Sequence, residues 1–538
     1  MTALRFARYQ VRSPGSLFRL LLFGTSLLLA AGVAFAVESP PAGPYDVTSE
    51  RMGDWEPKAV GWVNTSDGLH MAFTYEKKDQ RFVSFDGKPG PPFFDIASVG
   101  ISISPDGKRV AYFAKTNPFD RGAGVNVVSA GVEHGAGDHW AAVIDQQAGP
   151  NYDACVPFLV AFSPDSRRVA YGAVKGNKAF VVLDGQPGPD HDGIGSAVVF
   201  SPDSKRYAYV SHDGGKEAVV VDGEVGPPLF EIAPSSLSFS PDSKHVSYVG
   251  LQQDKLPVMV TDGRPGPAYQ VIGRNPVWSP DGAHFAYDVA DKGKSFVVLD
   301  GVQGPEFEQV QDSTLCFNPG DGRLAYAAKR DGKWLAVDGS KLGEGFDAIY
   351  DGSLVFSPAG GRLSYMAKRE KQWCVVVDDK PGPWSESLIR NSIRFSIDGA
   401  HHAYGAANGK KALVVVDGKP GPEWDEVRPP IFSADGRRVA YFAVQDKKWF
   451  PVVDGQPGPR FDDFSVRSLR MSPDGAHVAY GVFTGSRMHI FIDGQPGPEF
   501  DAIGRNGPAF DGGGALEYIG LDKKEKALYR VRHVPRPR

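Results

Sequence analysis

The fold of this 538-residue chain is dictated by two short motifs that recur about every forty residues. The first is an apolar run followed by Asp-Gly-x-Pro-Gly-Pro, as in residues 414–422. β-Branched valines favour a pleated strand, and Asp-Gly directly after such a run favours a tight turn, so the motif predicts a β-hairpin. Full copies begin at Asp86, Asp184, Asp262, Asp417, Asp454 and Asp493, and eroded copies begin at Asp145, Asp222, Asp300, Asp338 and Asp378.

The second motif is phased with the first. Ser-Pro-Asp-Gly at residues 104–107 is a tight turn with proline at its second position and glycine at its last. Polar residues and then the strand-forming Val-Ala-Tyr follow this turn. Further copies of Ser-Pro-Asp begin at Ser163, Ser201, Ser240, Ser279 and Ser472, and altered copies begin at Ser66, Asn318, Ser357, Ser396, Ser433 and Phe510.

The interval between copies predicts the architecture. Apart from a first gap of 59 residues, successive turn aspartates are 37 to 40 residues apart. A period near 40 with four short strands per unit is typical of a propeller blade. One unit divides into strands A (238–239), B (245–249), C (257–261) and D (268–272). A helical repeat would need apolar residues at 3.6-residue spacing, and the 43 prolines also disfavour helices, so the fold class is all-β.

The two ends of the chain predict how the propeller closes. Residues 43–47 resemble a lone strand D, and residues 508–532 supply strands A, B and C. Pairing them completes one blade and hides two sheet edges. The count is then about twelve four-stranded blades. Because one ring usually has four to eight blades, we expect two tandem six-bladed propellers, at residues 37–310 and 311–533. Residues 43–47 would close the first ring and strand D near 305–310 the second. Seven plus five blades, or one large ring, are the alternatives.

The N-terminus has the pattern of an export signal. Residues 1–36 carry four arginines and no acidic residue, then an apolar run at 20–31 and a small-x-small site at 34–36. The apolar run is short for a membrane span. We therefore expect cleavage, a periplasmic or extracellular location in a bacterium, and no stable membrane insertion afterwards. Cleavage takes the formal charge from −5 to −9 (−5 − 4), so no nucleic-acid partner is expected. Residues 534–538 form a basic tail, interpreted as solvated.

Candidate chemistry is sparse. Residues 115–138 form a Gly- and Asn-rich insertion in the second unit, a place where repeat proteins can carry binding. Glu133, His134, Asp138 and His139 have zinc-ligand chemistry there, although solvated polar residues explain them as well. There is no Gly-x-Ser-x-Gly, His-Glu-x-x-His or Cys-x-x-Cys. The recurring turn aspartates are interpreted as hydrogen-bond acceptors of their own backbone rather than calcium ligands. No catalytic, cofactor-binding or metal residue is assigned, and no cofactor is expected.

Several recurring residues are assigned to packing. One strand B position carries tyrosine in ten units, which predicts a structural ladder, and four tryptophans keep a nearly fixed distance from the turn aspartate. The three cysteines are interpreted as buried small hydrophobes rather than as a disulfide framework. These residues are Tyr112, Tyr171, Tyr209, Tyr248, Tyr287, Tyr326, Tyr365, Tyr404, Tyr441 and Tyr480; Trp140, Trp334, Trp373 and Trp449; and Cys155, Cys316 and Cys374.

The combination Phe-Ser-Pro-Asp-Gly/Ser-x-Arg/His-Val-Ala-Tyr, as at residues 162–171, with Met in place of Phe at 471–480, resembles the WD-repeat-like propeller units of TolB-type exported bacterial proteins. The resemblance spans nearly all of residues 60–530 and implies a propeller with a binding role. The Asp-Gly-x-Pro-Gly-Pro turn departs from the usual unit, and no TolB-like N-terminal α/β domain precedes the repeats.

The leading functional hypothesis is an exported, non-catalytic propeller scaffold that binds a protein or peptide. The alternative is an enzyme, a lyase or glycoside hydrolase, with its site in a propeller channel. That activity needs paired carboxylates or a histidine-centred cluster projecting from several A strands. A third possibility is a surface or matrix component without a small ligand.

Overall fold

The structure is a computed structural model that describes residues 45–536, except 57–58, 98–99, 118–125, 130–131, 136–138, 157–159, 234, 466–467 and 505–506. Every regular element within these residues is a β-strand. Twelve sheets form twelve propeller blades, numbered here in chain order, and a separate two-stranded hairpin, Asn126–Ser129 with Val132–Gly135, lies in the insertion. The predicted all-β propeller of about twelve blades is confirmed.

Strands B and C form the antiparallel centre of each blade. The B strands of blades 1 to 12 are Met71–Lys77, Val110–Lys115, Val169–Lys175, Tyr207–Asp213, Val246–Leu251, Phe285–Asp291, Leu324–Arg330, Leu363–Arg369, His402–Asn408, Val439–Gln445, Val478–Thr484 and Leu516–Asp522. The C strands are Gln80–Phe85, Trp140–Ile144, Lys178–Leu183, Lys216–Val221, Pro257–Thr261, Lys294–Leu299, Lys333–Asp338, Gln372–Val377, Lys411–Val416, Lys448–Val453, Arg487–Ile492 and Ala527–Pro535.

The innermost strand A is continuous in blade 1, Val60–Asn64, and consists of two short pieces in every later blade. The first pieces are Asp95–Ile96, Ala154–Cys155, Gly193–Ile194, Glu231–Ile232, Val271–Ile272, Gln309–Val310, Ala348–Ile349, Ser387–Leu388, Glu426–Val427, Asp463–Phe464 and Ala502–Ile503. The second pieces are Ser102–Ile103, Ala161–Phe162, Val199–Phe200, Ser238–Phe239, Val277–Trp278, Cys316–Phe317, Val355–Phe356, Arg394–Phe395, Ile431–Phe432, Arg470–Met471 and Ala509–Phe510.

Strand D is the outer edge and, in blades 1 to 11, follows the turn that begins with the recurring aspartate. The D strands are Lys88–Pro89, Gln147–Tyr152, Gln186–Pro187, Glu224–Val225, Arg264–Ala268, Val302–Gln303, Lys341–Leu342, Lys380–Pro381, Lys419–Pro420, Gln456–Pro457, Gln495–Phe500 and, in blade 12, Tyr45–Asp54. The predicted D strands at 268–272 and 305–310 are therefore wrong in part. Val271–Ile272 and Gln309–Val310 pair with strand B of the following blade and belong to its strand A.

Blade 12 joins the two ends of the described chain, as the sequence predicts. Tyr45 pairs with Pro535, and Asp54 pairs with Ala527 at the other end of the ladder. His533 is buried in this blade, where its Nε2 lies 3.2 Å from the Tyr518 hydroxyl, and burial lowers the pKa of His533 to about 4. The N-terminal strand therefore supplies the outer edge of the last blade.

The hydrophobic core consists of twelve clusters, each between two consecutive blades. Blade 6 packs on blade 7 through Ala286 and Tyr326, and blade 12 packs on blade 1 through Leu528 and Phe73. Two six-bladed rings would instead pair blade 6 with blade 1 and blade 12 with blade 7. Pro44–Arg538 also forms one compact unit. The expected division into two rings near residue 310 is therefore not observed in these contacts. They are the contacts of one large ring, the alternative arrangement.

Polar groups on the turns tie each blade to the next. In blade 3, Asp184 Oδ1 accepts from the Val169 backbone N–H at 2.9 Å, and its Oδ2 accepts from Arg168 at 3.0 Å. Arg168 also donates to the carbonyl of Lys205 on blade 4, at 2.7 Å. The turn aspartate is an acceptor, as predicted, but its donors are at the start of strand B rather than in its own turn. Histidine takes the arginine position in other blades, as in His245 with Asp262.

The tyrosine ladder meets the Pro-Gly-Pro turn of the preceding blade. Tyr404, on blade 9, is 1% exposed, and its hydroxyl would lie 2.9 Å from a Cβ added to Gly382 of blade 8. Tyr365 approaches Gly343 of blade 7 in the same way, at 3.5 Å. The glycine of this turn, which is flanked by two prolines at Gly382 but not at Gly343, thus leaves space for the next blade.

The cysteines and the recurring tryptophans lie where the sequence places them. Cys155 and Cys374 are buried, Cys316 is partly buried, and all three are free thiols whose pKa is raised by burial. Trp334, Trp373 and the other two recurring tryptophans are half-buried against the interblade clusters. Within the described part of the chain, no helix is long and apolar enough to cross a membrane.

Candidate functional site: an aromatic cleft between the first and last blades

A cleft with a volume of about 670 Å³ lies between blade 1 and blade 12; we call it the closure cleft. Its origin is local. In the other blades the first piece of strand A places a large side chain, such as Ile232 or Ile349, between two blades. In blade 1, strand A begins at Val60, after the small Ala59. The interface is therefore filled less completely there.

Two stacked tryptophans form one wall of the closure cleft. The Trp55 and Trp62 rings lie 4.3 Å apart with an interplanar angle of 26°, and Phe73 packs against both. Trp55 is buried and held by a hydrogen bond from its backbone N–H to the Lys526 carbonyl, at 2.7 Å. Trp62 is 43% exposed. An aromatic ring that is packed on one side and free on the other suits the binding of an apolar group.

The backbone around Trp62 explains why its indole reaches the cleft. Val60 pairs with Thr74 and Val63 with Ala72, so one extra residue is accommodated in strand A. Gly61 takes a φ of 69° at this bulge, a conformation that glycine adopts without steric cost. A bulge of this kind redirects the adjacent side chain out of the regular alternation.

The rest of the lining is apolar with two polar groups. Ile503, Leu521 and Leu528 of blade 12 face the cleft. Asn64 lies in the lining, and its Oδ1 is buried without a hydrogen-bond donor. Lys523 lines the cleft at the B–C turn of blade 12, and no ion pair involves its ammonium among the described residues. Lys523 is exposed at the edge of an apolar cleft, where a ligand can reach its ammonium, whereas Asn64 Oδ1 is buried.

Lys523 is the sole ionisable side chain among the described residues of the lining. Groups of three or more histidine, cysteine, aspartate or glutamate side chains with metal-binding geometry are also absent from the described residues.

The polar cluster predicted in the insertion is only partly described. Glu133 and His134 are on the strand Val132–Gly135, and Asp138 lies outside the described residues. The backbone carbonyl of His139 accepts a hydrogen bond from the Thr116 backbone N–H at 2.8 Å. Ligand binding by the insertion stays a prediction.

Asp288 is a buried acidic group with a raised pKa, and sequence reasoning did not identify it. It is on strand B of blade 6, at the position that Val249 and Met366 use to pack against the following blade. Burial, together with the charge of Asp312 on blade 7, raises the pKa of Asp288 to about 6. Its Oδ1 is buried without a donor and would lie 1.9 Å from a Cβ at Gly273.

Sequence reasoning also missed Trp55 and Trp62. Neither keeps the distance from a turn aspartate that the four recurring tryptophans keep. That signal is not specific, because Trp278, Trp384 and Trp424 also lie outside the phase and pack against interblade clusters.

Comparison with known proteins adds likenesses of fold. No family model and no curated protein matches the chain. Matching solved structures include a eukaryotic initiation factor, 13% identical over 69% of this chain and 99% of that chain, with a TM-score of 0.33. The β-propeller domain of the Trilobed protease from Pyrococcus furiosus is 12% identical over 49% and 94%, with a TM-score of 0.25. The Dos1 propeller is 11% identical over 63% and 91%, with a TM-score of 0.28.

Proposed function

We propose that this chain is an exported, WD-repeat-like propeller scaffold that binds an extended segment of a partner protein in the closure cleft. The observation that carries the proposal is the exposed face of Trp62, stacked on Trp55 above an apolar floor. Such pockets, lined by apolar groups with a few polar ones, are typical of specific binding sites. The TolB-type resemblance and the signal-like residues 1–36 support export to the periplasm or the cell exterior.

The binding proposal is tested with a displayed peptide library panned on the purified protein. We expect enriched peptides to bind the wild type and to lose affinity by roughly tenfold or more with Trp62→Ala, because a buried aromatic contact contributes about 2 kcal/mol or more. Phe230→Ala is the matched control, since Phe230 is 46% exposed and lies away from the cleft. Equal binding by Trp62→Ala, or no enriched peptide, would contradict the proposal.

A further inference from the structure

Blade 12 has a long outer strand with one unpaired edge. Tyr45–Asp54 pairs with Ala527–Pro535 on one side and, within the part of the chain that the structure describes, with no strand on the other. The ladder is regular from Tyr45 to Arg51, and a bulge interrupts it at Met52. Residues 46–51 are all exposed. Their outward-facing N–H and C=O groups therefore form a template for another strand.

The outer strands of the other blades are protected from such pairing. Eight of them contain only two residues. The three longer ones each contain proline, which has no N–H to donate to an added strand. They are Gln147–Tyr152, Arg264–Ala268 and Gln495–Phe500. Tyr45–Asp54 is long and contains no proline, so blade 12 lacks both forms of protection.

The position of this edge suits a second copy of the chain. Strand D is the outermost strand of its blade, and blades 1 and 11 turn away from it on the convex rim of the ring. Two rings can therefore meet side by side at this edge. A two-fold axis between them joins identical strands antiparallel, so the same alternate backbone groups face each other in both copies.

The charges along the strand select the register of this pairing. The axis must pass through one residue, because residues that face each other must both direct their N–H and C=O outward or both inward. It must also lie near the middle of the strand if most of the strand is to pair. An axis at Thr48 places Asp46 opposite Glu50, and an axis at Glu50 places two glutamates opposite each other. An axis at Ser49 opposes no like charges.

We propose that two copies of this chain pair antiparallel through their Tyr45–Asp54 strands, with the two-fold axis at Ser49. One sheet then continues from blade 12 of one ring into blade 12 of the other. Because each copy contributes a single strand, the buried area is at the low end for specific interfaces, and the dimer is reversible. This interface lies on the outer rim and does not involve the closure cleft.

Ser49→Cys tests the register under mild oxidation. On the axis, the two Cα atoms at position 49 lie about 4.5–5.5 Å apart, a separation that a disulfide spans. We expect a covalent dimer above the level seen with the wild type. Val47→Cys is the matched control, because its two copies lie about 14 Å apart and cannot be bridged. In a strand-swapped dimer, position 49 faces Val531 of the other copy instead, and no cross-link forms.

A charge pair at position 47 tests the same interface without cysteine. Val47 is 45% exposed and faces Arg51 of the other copy in this register. Val47→Glu should tighten the dimer and Val47→Lys should weaken it, each roughly two- to tenfold, because Arg51 also pairs with Asp54 of its own strand. The measurement is sedimentation velocity over a concentration series. The proposal is overturned if the wild type stays monomeric throughout, if Ser49→Cys forms no cross-link, or if the two charge variants change the dimer alike.

Discussion

Asp288 shows how one residue departs from an otherwise uniform repeat. Its register position faces the following blade and carries apolar side chains in blades 5 and 8. Here a carboxyl occupies it beside Asp312, so the protonated form is favoured in the folded chain. Because the folded pKa is raised above the unfolded value, ionisation weakens the fold as the pH rises through about 6.

Asp288→Asn should therefore stabilise the protein above pH 6. We expect about 2–3 kcal/mol at pH 8, from roughly two pKa units, and no difference below about pH 3, where the carboxyl is protonated in both folded and unfolded chains. The measurement is the thermal unfolding midpoint across this pH range. Asp351→Asn, at an exposed position of blade 8, is the control and should leave the midpoint unchanged. Parallel profiles for wild type and Asp288→Asn would refute the assignment.

At this scale the sequence predicts what repeats and misses what does not. The tyrosine ladder lies where its phase places it, because the same position on strand B is buried from blade to blade. Asp288 and Trp62 are single departures whose surroundings come from a neighbouring blade. Those neighbours are known only once the ring geometry is known.

Among the elements, the Asp-Gly-x-Pro-Gly-Pro hairpin is predicted correctly, and its continuation is not. The two strand D residues after the turn pair with strand C, as in Val416 with Lys419. The apolar residue that follows, such as Val427, bonds across to the next blade instead. The alternation of apolar and polar residues is the same for both pairings. It therefore does not show to which blade the strand belongs.

Gly382→Ala tests the link between this hairpin and the tyrosine ladder. The added Cβ would lie 2.9 Å from the Tyr404 hydroxyl and 3.1 Å from the Val375 carbonyl oxygen. We expect a loss of about 1–3 kcal/mol, the usual cost of overpacking, seen as a lower unfolding midpoint. Adding Tyr404→Phe should restore part of it. Gly512→Ala, whose Cβ meets nothing within 4 Å, is the matched control. A loss as large in the control would show that backbone freedom, not packing, is responsible.

For the whole molecule, the number of blades follows from the sequence and the number of rings does not. Each blade contacts its two neighbours, so the local sequence is nearly the same in a small ring and a large one. A small ring and a large ring differ in the angle by which each blade is rotated relative to the next. Many weak contacts between the blades contribute to that angle.

We expect electron micrographs of the purified protein to show one disc with twelve spokes. Blade 6 packing on blade 7 and blade 12 on blade 1 require this arrangement. Removing residues 45–54 should leave an open ring with an unpaired edge on Ala527–Pro535 and a lower unfolding midpoint. Class averages with two separate six-spoked discs would contradict the single ring.

The pairing of Tyr45–Asp54 with Ala527–Pro535 has a consequence during synthesis. About 480 residues separate these strands, so the segment made first has no partner until the ribosome has nearly finished, roughly 25–100 s later. During that interval the unpaired strand Tyr45–Asp54 can pair equally well with Ala527–Pro535 of another copy whose synthesis has just finished. At high local concentration, newly made chains would exchange these strands and form domain-swapped dimers, whose abundance rises with expression level.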